Sequence, residues 1–288
     1  MKTDQGDYQL AKTSIMVMGT GPRAGKTILS LGLCRSLTNR DIRVAPFKAI
    51  CVIQSEYIKD DKYPWYAYGI IHHARAARAP FTTLMNPVAI YTSDFISGEL
   101  YIHGEPVQRI QLLNEDTLLT DSLNEEVCTL LTRAVENALY ELRSTYDYLV
   151  IEGASSPSEV APTEDFPNVY VNTLTRAPIL LSASFSRGGS AAAMIGTGLM
   201  LPEQLRSRVQ GFILTDVRDL QSTLYARQLI ERHLQLPFRG AIAHLPLWDG
   251  ASYSDEEAYE IIARAVENGL NDGLLQNIAI HKSIVSAC

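Results

Sequence analysis

The sequence carries only four cysteines, Cys34, Cys51, Cys128 and Cys288, scattered along 288 residues with no CxxC pair and no histidine at ligand spacing. That excludes a disulfide framework and a cysteine-based zinc site, and it suits a reducing compartment. Positive charge is also short: 25 Lys and Arg stand against 32 Asp and Glu, a net charge of −7. A chain that neutralises phosphates along a nucleic acid carries the opposite balance, so no nucleic-acid partner is expected. Long apolar runs are missing too. The most apolar later stretch, Gly188 to Leu201, is Gly/Ala-rich and stops at Pro202, well short of the ~20 residues that span a bilayer. Met1 to Lys12 is polar and charged, unlike a secretory leader. No membrane partner is expected, and the reading is a soluble cytoplasmic protein. No low-complexity linker interrupts the chain, which is read as one domain over 1–288 with a loosely held tail after about 270.

What the sequence does have is a globular balance, 46% hydrophobic and 20% charged, and an alternation of apolar strand-like runs with helix-period segments. That pattern predicts an α/β fold with a mostly parallel sheet and helices on both faces. Strands are expected at Ser14 to Met18, Ile42 to Phe47, Tyr148 to Glu152, Ile179 to Ala183, Val209 to Leu214 and Arg239 to His244. Helices are expected at Lys26 to Thr38, Ala67 to Ala79, Glu115 to Ser144, Ala191 to Leu201, Leu220 to Leu234 and Asp255 to Leu270. Between Lys48 and Glu115 the pattern is less regular, with a hairpin expected at Leu100 to Val107, and a binding surface is expected there. His72 and His73 read as helix-surface residues.

The sharpest motif is Gly19-Thr20-Gly21-Pro22-Arg23-Ala24-Gly25-Lys26-Thr27, set between a strand and a helix. Glycines let the backbone curl so that successive N–H groups and the helix N-terminus point at a phosphate, while Lys26 adds a charge and Thr27 a hydroxyl for Mg²⁺. The pattern is one residue longer than the usual G-x-x-x-x-G-K spacing. Glu152, an acid at the end of a buried strand beside the loop strand, stands where a second metal contact is expected. Lys48 and Arg187 follow strands and could equally be solvated ends.

The longer loop is the form seen in dethiobiotin synthetase and the cobyric acid synthase relatives, and the likeness extends along the chain. Val44-Ala45-Pro46-Phe47-Lys48, Met85-Asn86-Pro87-Val88, Val150-Ile151-Glu152-Gly153-Ala154, Asp165 with Asn168, Arg187-Gly188-Gly189 and Gly211-Phe212 together resemble the synthetase domain of cobyric acid synthase. The resemblance implies a dethiobiotin synthetase-like P-loop NTPase fold. It also implies an ATP- and Mg²⁺-dependent ligase that phosphorylates a small-molecule carboxylate and lets an amine or ammonia displace the phosphate. By the same resemblance Gly21, Arg23, Ala24, Gly25, Lys26, Thr27 and Ile28 would hold the nucleotide, with Thr215 at the base-reading position. Thr27 and Glu152 would hold Mg²⁺; of the catalytic residues, Lys26 would hold the β- and γ-phosphates, Lys48 would face the transferring phosphoryl group or the substrate carboxylate, and Arg187 would bind substrate carboxylates or the developing charge. A homodimer is implied as well.

Departures from the pattern bear on the substrate. Ala49-Ile50-Cys51-Val52 is apolar where relatives carry Pro and polar amides, and an acid expected before the Ala67 helix has no match unless Asp60 or Asp61 replaces it. Ser184 and Ser186 stand where two Asp are expected. No glutamine-hydrolysing domain is expected within these residues, so ammonia from a separate glutaminase, free ammonia or another amine would serve, and the substrate is read as non-corrinoid or a specialised metabolite. A carboxylating, ring-closing ligase and a catalytically impaired nucleotide-binding partner subunit are the competing readings. A partitioning-type switch lacks support because Gly21 stands where that class carries a second lysine.

Overall fold

The computed structural model describes residues 14–54, 68–94, 96–114, 117–118, 123, 125–245 and 253–271. Its strands are β1 (Ser14–Gly19), β2 (Val44–Phe47), β3 (Ile50–Gln54), β4 (Val88–Thr92), β5 (Ser97–Ile102), β6 (Glu105–Asn114), β7 (Thr117–Leu118), β8 (Tyr148–Glu152), β9 (Ile179–Ser184), β10 (Val209–Val217) and β11 (Phe238–Ala243). The helices that matter to the site are α1 (Lys26–Thr38), α2 (Tyr68–Ala76), α3 (Glu125–Thr145), α4 (Val171–Thr175), α5 (Ser190–Met200), α6 (Glu203–Arg206), α7 (Leu224–Leu234) and α8 (Asp255–Gly269).

β1 is buried along its whole length and alternates between two cores, as a period of two requires. Ile15 and Val17 face a cluster with Leu29, Leu33 and Leu37 of α1 and Ile262 and Val266 of α8. Met16 and Met18 face the other, with Leu131, Val135 and Leu139 of α3 and Met194 of α5. Being apolar on both faces commits β1 to the middle of a sheet covered on both sides. The principal sheet is six-stranded, in the order β11-β10-β9-β1-β8-β2, and every pair in it is parallel. The loop after β1 therefore opens at the C-terminal edge between β8 and β9, where the sheet is entered from both directions and ligands of such folds sit. Among the described residues no helix is long and apolar enough to cross a membrane.

The irregular region holds a second sheet of five strands, β3-β4-β5-β6-β7. Its first pair is parallel and the rest antiparallel. The expected hairpin is its centre: β5 and β6 turn at His103 and Gly104, with φ of 51° and 88°, the two positive angles of a tight turn whose twist matches the strands. The helix expected from Glu115 starts instead at Glu125, with Glu125 and Glu126 in its first turn. Chain before it is taken by Leu112 and Asn114 pairing with Leu118 and Thr117, a local hairpin pairing that wins over helix period there. Asp60, Asp61 and Ala67 lie outside the described residues.

α1 and α8 meet closely at Gly32, where a Cβ would stand 2.3 Å from Val266 Cγ2 and 3.2 Å from the Ile262 carbonyl oxygen. Alanine gains about 1 kcal/mol of helix propensity over glycine, but overpacking costs typically ~1–3 kcal/mol. Gly32→Ala is therefore expected to lower stability, read as an earlier urea midpoint at unchanged slope; a later midpoint would show that the α1–α8 contact is loose. Arg35 is fully buried in the same interface and donates to Glu256 at 2.8 Å.

Candidate functional site

The loop after β1 is built from residues at angles most side chains avoid: Arg23 at φ 58° and Gly25 at φ 85°. At Gly25 a side chain is barred twice, because its Cβ would also lie 2.3 Å from Thr215 Oγ1. The close approach is held from the other side, where the Thr215 hydroxyl lies 3.0 Å from the Ala24 carbonyl and 3.3 Å from that of Ala183. α1 then starts at Lys26 with Gly25 as its cap, leaving the first N–H groups of the helix without intrahelical partners and directed out of its end. The Lys26 side chain is buried, and its ammonium donates to the carbonyls of Gly21 at 2.9 Å and Ser155 at 3.0 Å.

Glu152 ends β8 and is 2% exposed. Its Oε1 accepts from Thr27 Oγ1 at 3.2 Å and from Lys48 Nζ at 3.0 Å. Its Oε2 is buried and accepts no hydrogen bond, with His73 Nε2 3.7 Å away. Burial works against the charged carboxylate, but Lys48, His73 and Lys26 outweigh it and hold Glu152 below the ordinary carboxylate value. His73 is also lowered, mainly by its own burial and partly by Lys48, against the pull of Glu152. A neutral His73 then donates from Nε2 to the Thr27 carbonyl at 2.9 Å, tying α2 to the first turn of α1.

A cavity of about 550 Å³ opens on the loop, and Arg23 to Ile28, Arg187, Thr215, Asp216 and His244 are among the residues that line it. This volume lies within the range of small-molecule sites. Arg187 reaches it from an exposed turn completed by Gly188 and Gly189 at φ 73° and 68°. Lys48 and Glu152 are not among its lining residues; Thr27 connects the two regions, since it lines the cavity and bonds Glu152. Gly21 contributes a carbonyl to Lys26 and does not line the cavity.

The turn after Glu152 is braced from beneath. Asn168 Nδ2 donates to the Ala154 carbonyl at 2.8 Å and to Asp165 Oδ1 at 3.0 Å, and a Cβ on Gly153 would lie 2.1 Å from Asn168 Oδ1. Burial pushes the Asp165 carboxyl up from 3.8 to about 6, against the hydrogen bonds it accepts from Asn168. Because the folded value is raised, the stabilising contribution belongs to the protonated form. It is complete below pH 4 and is lost as pH rises through 6, a loss on the order of 3 kcal/mol. Asp165→Asn should remove that falling slope between pH 4 and 6 in urea denaturation, and an unchanged slope would show that Asp165 is not its source.

Two features were not foreseen from the residues. His72 and His73, expected on a helix surface, are 8% and 1% exposed, because α2 is wedged against both α1 and α8: His72 Nδ1 bonds the Tyr259 hydroxyl and His73 reaches Thr27. Asp216 and His244 form a pair on the cavity wall; Asp216 lies one residue beyond the expected base-reading position Thr215, whose hydroxyl is turned to backbone.

The chain matches the model of the CobQ/CobB/MinD/ParA nucleotide binding domain over residues 15–251. It is 30% identical over 250 residues to a protein of Methanothermobacter thermautotrophicus described as a probable cobyric acid synthase, covering 84% of this chain and 48% of that one. It is 32% identical over 256 residues to the probable cobyric acid synthase of Methanosarcina barkeri, covering 86% and 50%. With the cobyric acid synthase of Carboxydothermus hydrogenoformans the identity is 31% over 240 residues, covering 81% and 46%. The chain thus spans about half the length of the curated relatives it matches. Among solved structures, the septum site-determining protein MinD of Pyrococcus horikoshii OT3, complexed with Mg-ADP, aligns at TM-score 0.43 and 12% identity, covering 95% of this chain and 97% of that one.

Proposed function

The chain belongs to the CobQ/CobB/MinD/ParA nucleotide-binding domain family, and from that premise we propose that it is a nucleoside-triphosphate-dependent C–N ligase. In this reading an oxygen of a small-molecule carboxylate attacks the γ-phosphorus, the nucleoside diphosphate leaves, and an acyl phosphate forms. An amine or ammonia nitrogen then attacks the acyl carbon, phosphate leaves and the nitrogen loses a proton, giving an amide. The resemblance to cobyric acid synthase supports the ligase class, and ATP is the nucleotide that resemblance implies.

The observation that carries the reading is the junction at Thr27, where the loop that would hold phosphates meets Glu152 and Lys48. Lys26 would place its ammonium on the β- and γ-phosphates in exchange for the carbonyls of Gly21 and Ser155. Lys48, held by Glu152 beside Thr27, would meet the carboxylate or the moving phosphoryl group. Arg187, on its exposed turn, would approach from the cavity side. Phosphoryl transfer asks for positioning and charge neutralisation more than covalent chemistry, and these residues supply both.

The residues also fit a divalent cation. Glu152 Oε2 is buried without a hydrogen bond, which leaves an oxygen for an ion, and Thr27 Oγ1 adjoins the same carboxylate. Among the described residues no group of three His, Cys, Asp or Glu is placed to hold a metal. That suits Mg²⁺, which is usually held by one or two carboxylates together with substrate phosphates and water. Bound there, the ion would neutralise charge on the β- and γ-phosphates.

The test uses ¹⁸O-labelled candidate carboxylates with nucleotide, Mg²⁺ and an amine. The reading expects carboxylate-dependent release of nucleoside diphosphate and transfer of ¹⁸O from carboxylate to inorganic phosphate. Nucleotide turnover that stays independent of every carboxylate and yields unlabelled phosphate would sink the ligase and leave a nucleotide hydrolase.

A further inference from the structure

Every contact assigned above to phosphate is the same for any nucleotide, so choice of the base falls to other residues of the cavity, and β10 and β11 supply several of them. There β10 is bulged. Leu214 pairs with Ala241 and Val217 with Ala243, so β10 carries one residue more than its partner between these pairs, and Asp216 inside the bulge sits at φ 57°. Bulges beside functional sites re-aim a side chain that regular alternation would direct elsewhere, and Asp216 lines the cavity. Its carboxylate is fixed from two sides. Ser186 Oγ donates to Oδ2, and His244 Nδ1 lies 2.5 Å from Oδ1. The Ser186 hydrogen bond, with help from His244 and against partial burial, holds Asp216 below the ordinary value, so at neutral pH it only accepts. Ile242, Ala243 and Leu245 add an apolar wall beside it.

We propose that Asp216 selects the base of the bound nucleotide, and that this base is guanine. Ser186 and His244 take one acceptor position on each carboxylate oxygen, which leaves one on each for a ligand. Guanine presents N1–H and its 2-amino group side by side, a donor–donor edge that fits two oxygens with charge-assisted bonds. Adenine presents the 6-amino donor next to the N1 lone pair, so one carboxylate oxygen would face another acceptor. Thr215 does not compete for the role, because its hydroxyl is held against the Ala24 and Ala183 carbonyls. The inference rests on the nucleotide reading of the cavity and changes only the base that the resemblance implies.

Titration of the full chain with GDP, IDP and ADP in the presence of Mg²⁺ isolates the base, since the diphosphate is common to all three. GDP is expected to bind at least tenfold more tightly than ADP, with IDP, which lacks the 2-amino group, in between. In Asp216→Asn, which keeps the side-chain shape, GDP should weaken at least tenfold while ADP stays within a factor of about two. ADP binding as tightly as GDP to the native chain, or a GDP-to-ADP ratio untouched by Asp216→Asn, overturns the selection of guanine and leaves the nucleotide site standing. If none of the three diphosphates binds the native chain, the nucleotide reading itself falls and takes this inference with it.

Discussion

Lys26→Ala should weaken nucleotide binding by one to two decades, the largest loss expected from any single substitution in the loop. The side chain is 7% exposed and its ammonium is already positioned by the Gly21 and Ser155 carbonyls at 2.9 and 3.0 Å. A nucleotide would therefore meet a charge already held in the loop, which exchanges those carbonyls for phosphate oxygens, and a charge-assisted hydrogen bond of that kind contributes about 1.5–3 kcal/mol. Removal also leaves two carbonyl oxygens facing the space meant for phosphate, which adds repulsion to the lost attraction. Lys26→Arg should fail to restore affinity, because a planar fork does not fit a place shaped for a point charge between two carbonyls. Calorimetric titration checks both variants, with thermal unfolding alongside to show that the fold survives. Native affinity in Lys26→Ala would mean that the loop does not hold phosphate.

The parts of this arrangement that were legible in the sequence are those fixed locally. Ser14–Gly19 and Lys26–Thr38 could be read because one is a short apolar run and the other a helix opened by a Gly-Lys-Thr turn, and both signals lie within a few residues of each other. Glu152 could be placed because a strand that is apolar throughout and ends in an acid has few other uses. What escaped depends on contacts distant along the chain. Nothing in Ile70-Ile71-His72-His73-Ala74 says which face of the helix is covered, and both histidines are buried only because Tyr259 and Thr27 arrive from α8 and α1. β3 shows no clear pattern of its own because its partner, β4, lies beyond α2. Asp216 escaped for a third reason: a bulge is a mismatch between two strands, and neither strand shows it alone.

Glu152→Gln is expected to remove most of the Mg²⁺ dependence of nucleotide binding, and the argument turns on charge. Glu152 is the carboxylate against which the charges of Lys48 and Lys26 are balanced, and glutamine keeps its shape while cancelling that balance. In the native chain Mg²⁺ should tighten nucleotide binding at least tenfold; in Glu152→Gln the affinities with and without Mg²⁺ should converge to within a factor of about two. Stability should change as well, because breaking a buried pair by removing one partner costs about 3–5 kcal/mol. Lys48 is 20% exposed on its side chain and can turn toward water, so the low end of that range applies. The pH dependence separates this acid from the one that braces it. The folded value of Glu152 is lowered from 4.5, so its contribution is present above pH 4.5 and is lost as pH falls through the folded value. Asp165, raised to about 6, has the opposite slope. Urea midpoints measured from pH 3 to 7 should therefore flatten on the acid side in Glu152→Gln and between pH 4 and 6 in Asp165→Asn. If Glu152→Gln instead keeps full Mg²⁺ dependence while losing stability, Glu152 serves to hold Lys48 and Thr27 in place, and the cation is held by the nucleotide and the Thr27 hydroxyl without it.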